Sequence, residues 1–253
     1  MASDSKDQVQ QMQEIEYAFP YHHLLERYPY VTICKSWGGA LKYLFTQDLL
    51  FEHLDKIQFS SIVDIGCGDG KVTKEIARRY SEKRVYGIDY SEQAISLARL
   101  LVSQANFYSH DILRQSFQSK FDVGCSIEVI EHIPTDLLPK FVDAMADMLN
   151  TDGYLILSTP HRNLPLTDKH YQHFSHKSII ELVSSRFEII AIKHINRSST
   201  HVSRLISRIL HNRLFTMTNP RIVTRLYFAL RKQLQLTDER NATGLFVVLK
   251  KTR

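Results

Sequence analysis

Residues 62–72 read IVDIGCGDGKV, an apolar run followed by Gly66, Gly68 and Gly70 interleaved with Asp64 and Asp69. Glycines let a turn take positive φ and let its backbone approach a ligand closely. Such turns often cradle phosphate, but two carboxylates here repel a pyrophosphate, and G-x-G-x-G is tighter than the dinucleotide spacing G-x-G-x-x-G. The turn suits a ligand that carries positive charge and no phosphate. A second constellation, EVIEHIP at 128–134, gathers Glu128, Glu131 and His132. His132 can serve as a general base near neutral pH. Alternatively, two carboxylates and an imidazole can hold a divalent cation that acidifies a bound hydroxyl, or these groups only close a loop onto the next helix. A third stretch, STPHRNLPLTDKHYQHFSHKS at 158–178, holds His161, His170, His173 and His176, four of the chain's twelve histidines. A lone histidine usually packs or faces solvent; the clustering singles out His170 and His173, three residues apart.

These residues need elements to position them. SSIVDI (60–65), RVYGID (84–89), ANFYSHDI (105–112), FDVGCSIEVI (121–130) and GYLILSTP (153–160) are expected strands. Helical patterns over 71–80, 91–104 (capped by Ser91) and about 135–149 separate them. FEIIAIKHI (187–195) and GLFVVLKK (244–251) complete a seven-stranded sheet. Alternation of this kind predicts an α/β fold, doubly wound and mostly parallel, with helices on both faces. Ligands bind beyond the carboxyl ends of such strands. The residues after each strand therefore matter: Asp64 to Gly70, Asp89, Asp111, and Glu128 to His132. Pro134 disfavours helix at Ile133, so Glu128 to His132 is expected at a strand end and turn. The histidine-rich loop leaves the neighbouring strand and can reach the same place. Residues 196–242 are too long for a loop and read as a helical insertion before the last strand. Domain bounds are 1–55, an N-terminal tail and helical lid, and 56–253, the main domain.

Asp89 lies 19 residues beyond Gly70, where an acid can bind both ribose hydroxyls. Asp111 after the third strand can accept from an adenine amino group. Together with the acidic glycine turn, these describe an adenosine with a cationic amino-acid tail, which is S-adenosylmethionine. Here the chain resembles the class I S-adenosylmethionine-dependent methyltransferases over about residues 55–195. The matching stretches are VDIGCGDG, GIDYSEQAISLAR, HDI, FDVGCSIEVIEHI and LNTDGYLILSTP. The resemblance implies a Rossmann-like fold, with the first motif on the methionine part, the acid after the second strand on the ribose and the next acid on the adenine. Carried over, the implied cofactor residues are Asp64, Gly66, Cys67, Gly68, Gly70, Asp89, Tyr90, Asp111, Ile112 and Ile127. An NAD-dependent oxidoreductase is disfavoured by the glycine spacing and by Asp64.

E-x-x-E-H is similar to the pattern of ubiquinone-biosynthesis O-methyltransferases and of small-RNA 2′-O-methyltransferases, both linked to metal. That implies Glu128, Glu131, His132 and His170 as candidate ligands of magnesium, manganese or zinc, and Glu128, His132 and His173 as catalytic candidates. DKHYQHF and EYAFPYHHL (16–24) resemble bacterial methyltransferases encoded with polysaccharide-modifying enzymes. The expected reaction is O-methylation of a small hydroxylated substrate such as a sugar or glycan precursor. In related methyltransferases the segment before the sheet folds over the cofactor, which makes Tyr21, His22 and His23 substrate-contact candidates; alternatively Phe19, Tyr21 and Trp37 only pack it down.

Composition sets the outer bounds. A chain of 253 residues, 43% apolar and 23% charged, reads as one globular domain with an elaboration. Three widely spaced cysteines without CxxC favour a reducing compartment, hence the cytoplasm, over a disulfide framework. The N-terminus is too polar for a signal peptide, and no run of 18 apolar residues spans a membrane. The net charge is +5, with eight Arg/Lys and no acid between Arg197 and Lys232. That segment, with E-x-x-E-H, supports an alternative as an RNA 2′-O-methyltransferase, although no RNP motif or zinc knuckle accompanies it. It reads equally as a solvated helix face. A non-catalytic cofactor-binding partner is the third reading.

Overall fold

The structure, a computed structural model, describes residues 10–12, 14, 15, 17, 37–198 and 219–252. The elements are α1 (Trp37–Leu54), β1 (Ser61–Ile65), α2 (Lys71–Arg79), β2 (Arg84–Asp89), α3 (Glu92–Leu101) and β3 (Asn106–Ser109). There follow β4 (Phe121–Ile127), α4 (Leu138–Asp147), β5 (Leu149–Pro160), α5 (His176–Val183), β6 (Phe187–Ile195), α6 (Pro220–Leu234) and β7 (Gly244–Lys251). The seven strands form one sheet in the order β3-β2-β1-β4-β5-β7-β6, parallel except for β7. This is the expected doubly wound architecture. The order reverses between β1 and β4, so a ligand crevice opens at their carboxyl ends.

Period-two alternation gives the sheet two apolar faces. Val63, Ile65, Leu155, Leu157, Leu245, Val247 and Leu249 face α4 and α5. Ile62, Val123, Ile156, Phe246 and Val248 pack on the other side with Leu49, Leu50, Phe51 and Leu54 of α1. Full burial of each such side chain stabilises by roughly 1.5–3 kcal/mol. The first half of α1 packs instead on α6, where Val223, Tyr227 and Leu230 line up at helical spacing against Leu41, Leu44 and Phe45. Asn219 caps α6 by accepting from the amides of Arg221 and Ile222, and Pro220 occupies its first turn. The expected helical insertion is therefore helix over 220–234; residues 199–218 lie outside the described residues.

Several boundaries differ from expectation. The fourth strand stops at Ile127 rather than Ile130, because Glu128 takes φ +57 and turns the chain out of the ladder. The third strand is only Asn106–Ser109, since Asp111 accepts the Leu113 amide in a turn. The α4 helix starts late because Pro134 leads into a short 3-10 turn over Thr135–Leu137. The fifth strand starts early, at Leu149, which pairs Phe121 before a register shift.

Candidate active site

The glycine turn is built as its composition demands. Gly66 and Gly68 have φ of +75° and +54°. A Cβ on Gly66 would stand 2.6 Å from a Val129 methyl, and one on Gly68 2.8 Å from the Tyr17 hydroxyl. Gly70 starts α2. Asp64, at the end of β1, is buried and accepts from Thr73 Oγ1 at 2.7 Å and from the Cys125 thiol at 3.6 Å. Asp89 braces the same turn: it accepts the Gly68 amide at 2.9 Å and the Ser91 amide at 2.9 Å. Burial pushes both carboxyls up to about 6. A cationic ligand would restore their charge.

Across the carboxyl ends of β1, β2 and β4 lies a cavity of about 630 Å³, a size that suits a nucleoside with a short tail. Gly66, Asp89, Tyr90, Asp111, Ile112, Glu128 and His132 line it. Seven of the expected site residues thus line the same cavity. Asp64 stands behind the turn. Cys67 and Ile127 do not present side chains to the cavity: Cys67 packs with Ile95, Ala98 and Phe107, and Ile127 lies in the core below the sheet. Asp111 is tied to Arg114 at 3.1 Å as well as to Leu113. Parts of the N-terminal segment reach this place. Gln10 lines the cavity, Glu14 accepts from Ser91 Oγ at 2.8 Å, and Tyr17 covers Gly68. Tyr21, His22 and His23 lie outside the described residues, as do Phe19 and the Trp37 side chain.

Two neighbouring strand ends supply the E-x-x-E-H groups and their supports. Ser158 Oγ donates to Glu128 Oε1 at 2.8 Å, and Thr159 Oγ1 donates to Glu131 Oε2 at 3.1 Å. Burial raises the pKa of Glu128 despite Ser158 and the Lys42 charge. Burial, then the Glu128 charge, raises that of Glu131 well above the usual range. Lys42 of α1, itself lowered by desolvation, feels the Glu128 carboxylate. Sequence reasoning missed Ser158, Thr159 and Lys42. Two hydroxyls ending an otherwise apolar strand were the available signal for the first two.

The histidines are oriented by backbone. His132 Nδ1 donates to the Lys169 carbonyl at 2.8 Å, so in the neutral ring Nε2 is the acceptor nitrogen. His173 Nδ1 donates to the Leu164 carbonyl at 3.1 Å, so its Nε2 accepts from His170 Nδ1 at 2.7 Å. His170 Nε2 is thereby left as an acceptor. Burial, with His132 and His173 nearby, holds His170 down to about 4, keeping it neutral. One ligand atom each from Glu131, His132 and His170 lies within 4.8 Å of the others. Glu128 falls outside that set, and His173 joins it only through His170. Gln172 pins the turn by donating to the carbonyls of Ile130 at 3.3 Å and Ile133 at 2.8 Å.

The basic insertion is partly committed elsewhere. Arg231 pairs with Asp48 at 3.1 Å and with Glu52, both on α1. No helix among the described residues is long and apolar enough to cross a membrane.

Fold and cavity together define a Rossmann-like α/β protein with a nucleoside-sized site at its switch point. A family model described as "Methyltransferase domain" matches residues 37–213, more than half of the chain. The chain belongs to the class I S-adenosylmethionine-dependent methyltransferases. Among curated relatives, the ubiquinone biosynthesis O-methyltransferase of Alkalilimnicola ehrlichii is 33% identical over 122 residues, covering 46% of this chain and 48% of that protein. The same-named protein of Psychrobacter cryohalolentis is 33% identical over 110 residues, covering 40% and 41%. The chain thus matches about half the length of these relatives or less. The N-methyltransferase NodS of Bradyrhizobium japonicum, solved with S-adenosyl-L-homocysteine, shares the fold with TM-score 0.62 and 17% identity, covering 97% of this chain and 99% of that one. Magnesium protoporphyrin IX methyltransferase of Synechocystis, solved with S-adenosylmethionine, gives 0.55 and 17%, covering 85% and 82%.

Proposed function

We propose that this chain transfers the methyl group of S-adenosylmethionine to an oxygen of a small hydroxylated acceptor, a sugar or glycan precursor being the expected class. The observation that carries the oxygen assignment is the Glu131, His132 and His170 set beside the cofactor cavity. The curated relatives, named as O-methyltransferases, support it.

The residues fit the cofactor. Asp89, although it accepts backbone amides including those of Gly68 and Ser91, can share its carboxylate with ribose hydroxyls, and Asp111 stands at the cavity for the adenine end. The buried carboxyl of Asp64 favours a cationic tail from behind the turn. When bound, S-adenosylmethionine supplies an electrophilic methyl on sulfonium. The protein's share is to align the acceptor, exclude water and take or weaken the hydroxyl proton.

The residues also fit a divalent metal. A buried carboxylate and two imidazoles, one ligand atom from each within 4.8 Å of the others, form an N/O donor set that suits manganese or zinc better than magnesium. Backbone carbonyls and His173 fix those tautomers, as supports of metal-binding histidines commonly do. A metal held by Glu131, His132 and His170 would acidify an acceptor hydroxyl. Without metal, His132, which lines the cavity, would act as the general base, so the two versions differ in what its imidazole meets. Turnover of S-adenosylmethionine over a panel of hydroxylated acceptors, with and without chelator, separates them. Loss on chelation and recovery with manganese or zinc supports the metal version. Chelator-resistant turnover abolished in His132→Ala supports the base. Full turnover in His132→Ala and Glu131→Gln overturns both.

A further inference from the structure

On the same carboxyl edge of the sheet, beyond β5 and towards β6, a second group of imidazoles converges. His161 follows β5, His194 is near the end of β6, and Glu239 opens the turn 239–241 that leads to β7. The chain order of strands brings all three to one carboxyl edge, because β5 and β6 run in the same direction on either side of β7. One ligand atom from each of the three lies within 4.8 Å of the others. His161 Nε2 stands 3.8 Å from Glu239 Oε1. His176, at the start of α5, stacks its ring on His194 with centroids 5.2 Å apart.

The nitrogens at this spot are buried and unsatisfied. His161 is 1% exposed, and His161 Nε2, His194 Nε2 and His176 Nδ1 have no hydrogen-bond partner among the described residues. Leaving buried polar atoms unpaired is costly, and the unpaired Nε2 atoms of His161 and His194 beside Glu239 point to a missing ligand. Burial lowers the pKa of His161 and His194, so both rings are neutral near pH 7. Neutral imidazole is the form that binds metal.

We propose that His161, His194 and Glu239 form a second metal site, for a divalent cation of the zinc class. Two imidazoles and a carboxylate match zinc's donor preference, and a three-ligand set leaves a fourth position for water. Glu239, whose side chain is 52% exposed, gives the ion its way in. One contact works against loading: His161 Nδ1 accepts the Asn163 amide at 3.2 Å, which places the ring proton on Nε2. Capture of the ion at Nε2 moves that proton to Nδ1, keeping the ring neutral, at the expense of the Asn163 bond.

The site is structural. None of its residues lines the cofactor cavity. The ion would clamp the turn at 239–241 to the ends of β5 and β6. Asn163 already holds that turn, its Nδ2 donating to the carbonyls of Glu239 at 2.7 Å and Ala242 at 3.1 Å.

The test uses untagged full-length protein stripped of metal and titrated with zinc, bound metal being counted after gel filtration and the melting temperature recorded. Wild type should take up an equivalent that raises Tm. His194→Ala should lose that equivalent and the rise in Tm, whereas His132→Ala should keep both. Glu239→Gln changes an exposed side chain, so the fold survives, and zinc affinity should fall about tenfold or more. Binding of S-adenosylhomocysteine verifies that each variant is folded. Zinc uptake unchanged in both His194→Ala and Glu239→Gln, or none remaining in His132→Ala, would overturn the assignment.

Discussion

Asp89→Asn probes the cofactor site at the residue whose geometry is most fully determined. Both carboxylate oxygens are already in use, Oδ2 on the Gly68 amide and Oδ1 on the Ser91 amide, each at 2.9 Å. Asparagine keeps one acceptor oxygen and sets an NH2 against the other amide. Either orientation leaves one buried donor facing a donor. A hydrogen bond to a charged group is worth about 1.5–3 kcal/mol, and the ribose acceptor is weakened in the same step. Neutralising a carboxyl that burial has pushed up to about 6 relieves desolvation, so the loss of stability should sit near the lower end of that range. Affinity for S-adenosylhomocysteine has no such relief and should fall by roughly ten- to a hundredfold. Titration calorimetry with S-adenosylhomocysteine reads the affinity, and urea unfolding reads the stability. A folded Asp89→Asn protein with wild-type affinity would refute the ribose role, and loss of both folding and binding would make Asp89 a brace for the glycine turn alone.

Ser158→Ala removes the donor to Glu128 Oε1 and should lower turnover about tenfold with S-adenosylhomocysteine affinity unchanged; a parallel loss of affinity would tell against a role confined to chemistry. Gly68→Ala combines φ +54 with a Cβ 2.8 Å from the Tyr17 hydroxyl, so calorimetry should show weakened cofactor binding, and wild-type binding would mean the Tyr17 cover is not needed. His173→Phe frees the His170 tautomer and should weaken manganese or zinc at the E-x-x-E-H set by about 10–100-fold, measured by metal titration. The pH dependence of stability carries two opposed signals. Asp64, near 6 when folded and about 3.9 when unfolded, destabilises above pH 6 and gives that back as pH falls toward 4, a swing of up to about 3 kcal/mol. His170, near 4 against about 6.5, loses stability over the same descent. Asp64→Asn should therefore steepen the acid-side loss in urea melts at pH 7, 5.5 and 4.5, and an unchanged slope would contradict the buried titration.

The legible part of this protein was the part encoded by single strand ends. An apolar run ending at or just before Asp64, Asp89 or Asp111 announces a parallel strand and its carboxyl end in one local reading, and the β1 to β4 switch then brings Asp89 and Asp111 to one cavity. The E-x-x-E-H motif was legible for the same reason. What escaped is non-local. Ser158 and Thr159 meet Glu128 and Glu131 only because β4 and β5 pair with Ile127 opposite Ser158. The His173-to-His170 bond depends on where the Leu164 carbonyl falls in a loop. Lys42 arrives on α1 from more than eighty residues upstream. No periodicity reports such meetings.

Glu128 shows why the misplaced strand end and the missed hydroxyl are one problem. Its φ of +57 costs a residue with a side chain about 1–3 kcal/mol, and such strain persists only where the surroundings impose it. Ser158 imposes it from both ends. The Glu128 amide donates to the Ser158 carbonyl at 3.0 Å, fixing the backbone, while Ser158 Oγ donates to the Glu128 carboxylate at 2.8 Å, fixing the side chain. A regular strand would have continued to Ile130 and alternated these side chains across the sheet. The left-handed step instead breaks the alternation, so that Glu128 and His132 line the cavity wall and Glu131 sits beside His132 and His170. The strain at Glu128 is therefore the local condition for assembling the site, and the serine that maintains it belongs to a strand whose own sequence reads as core.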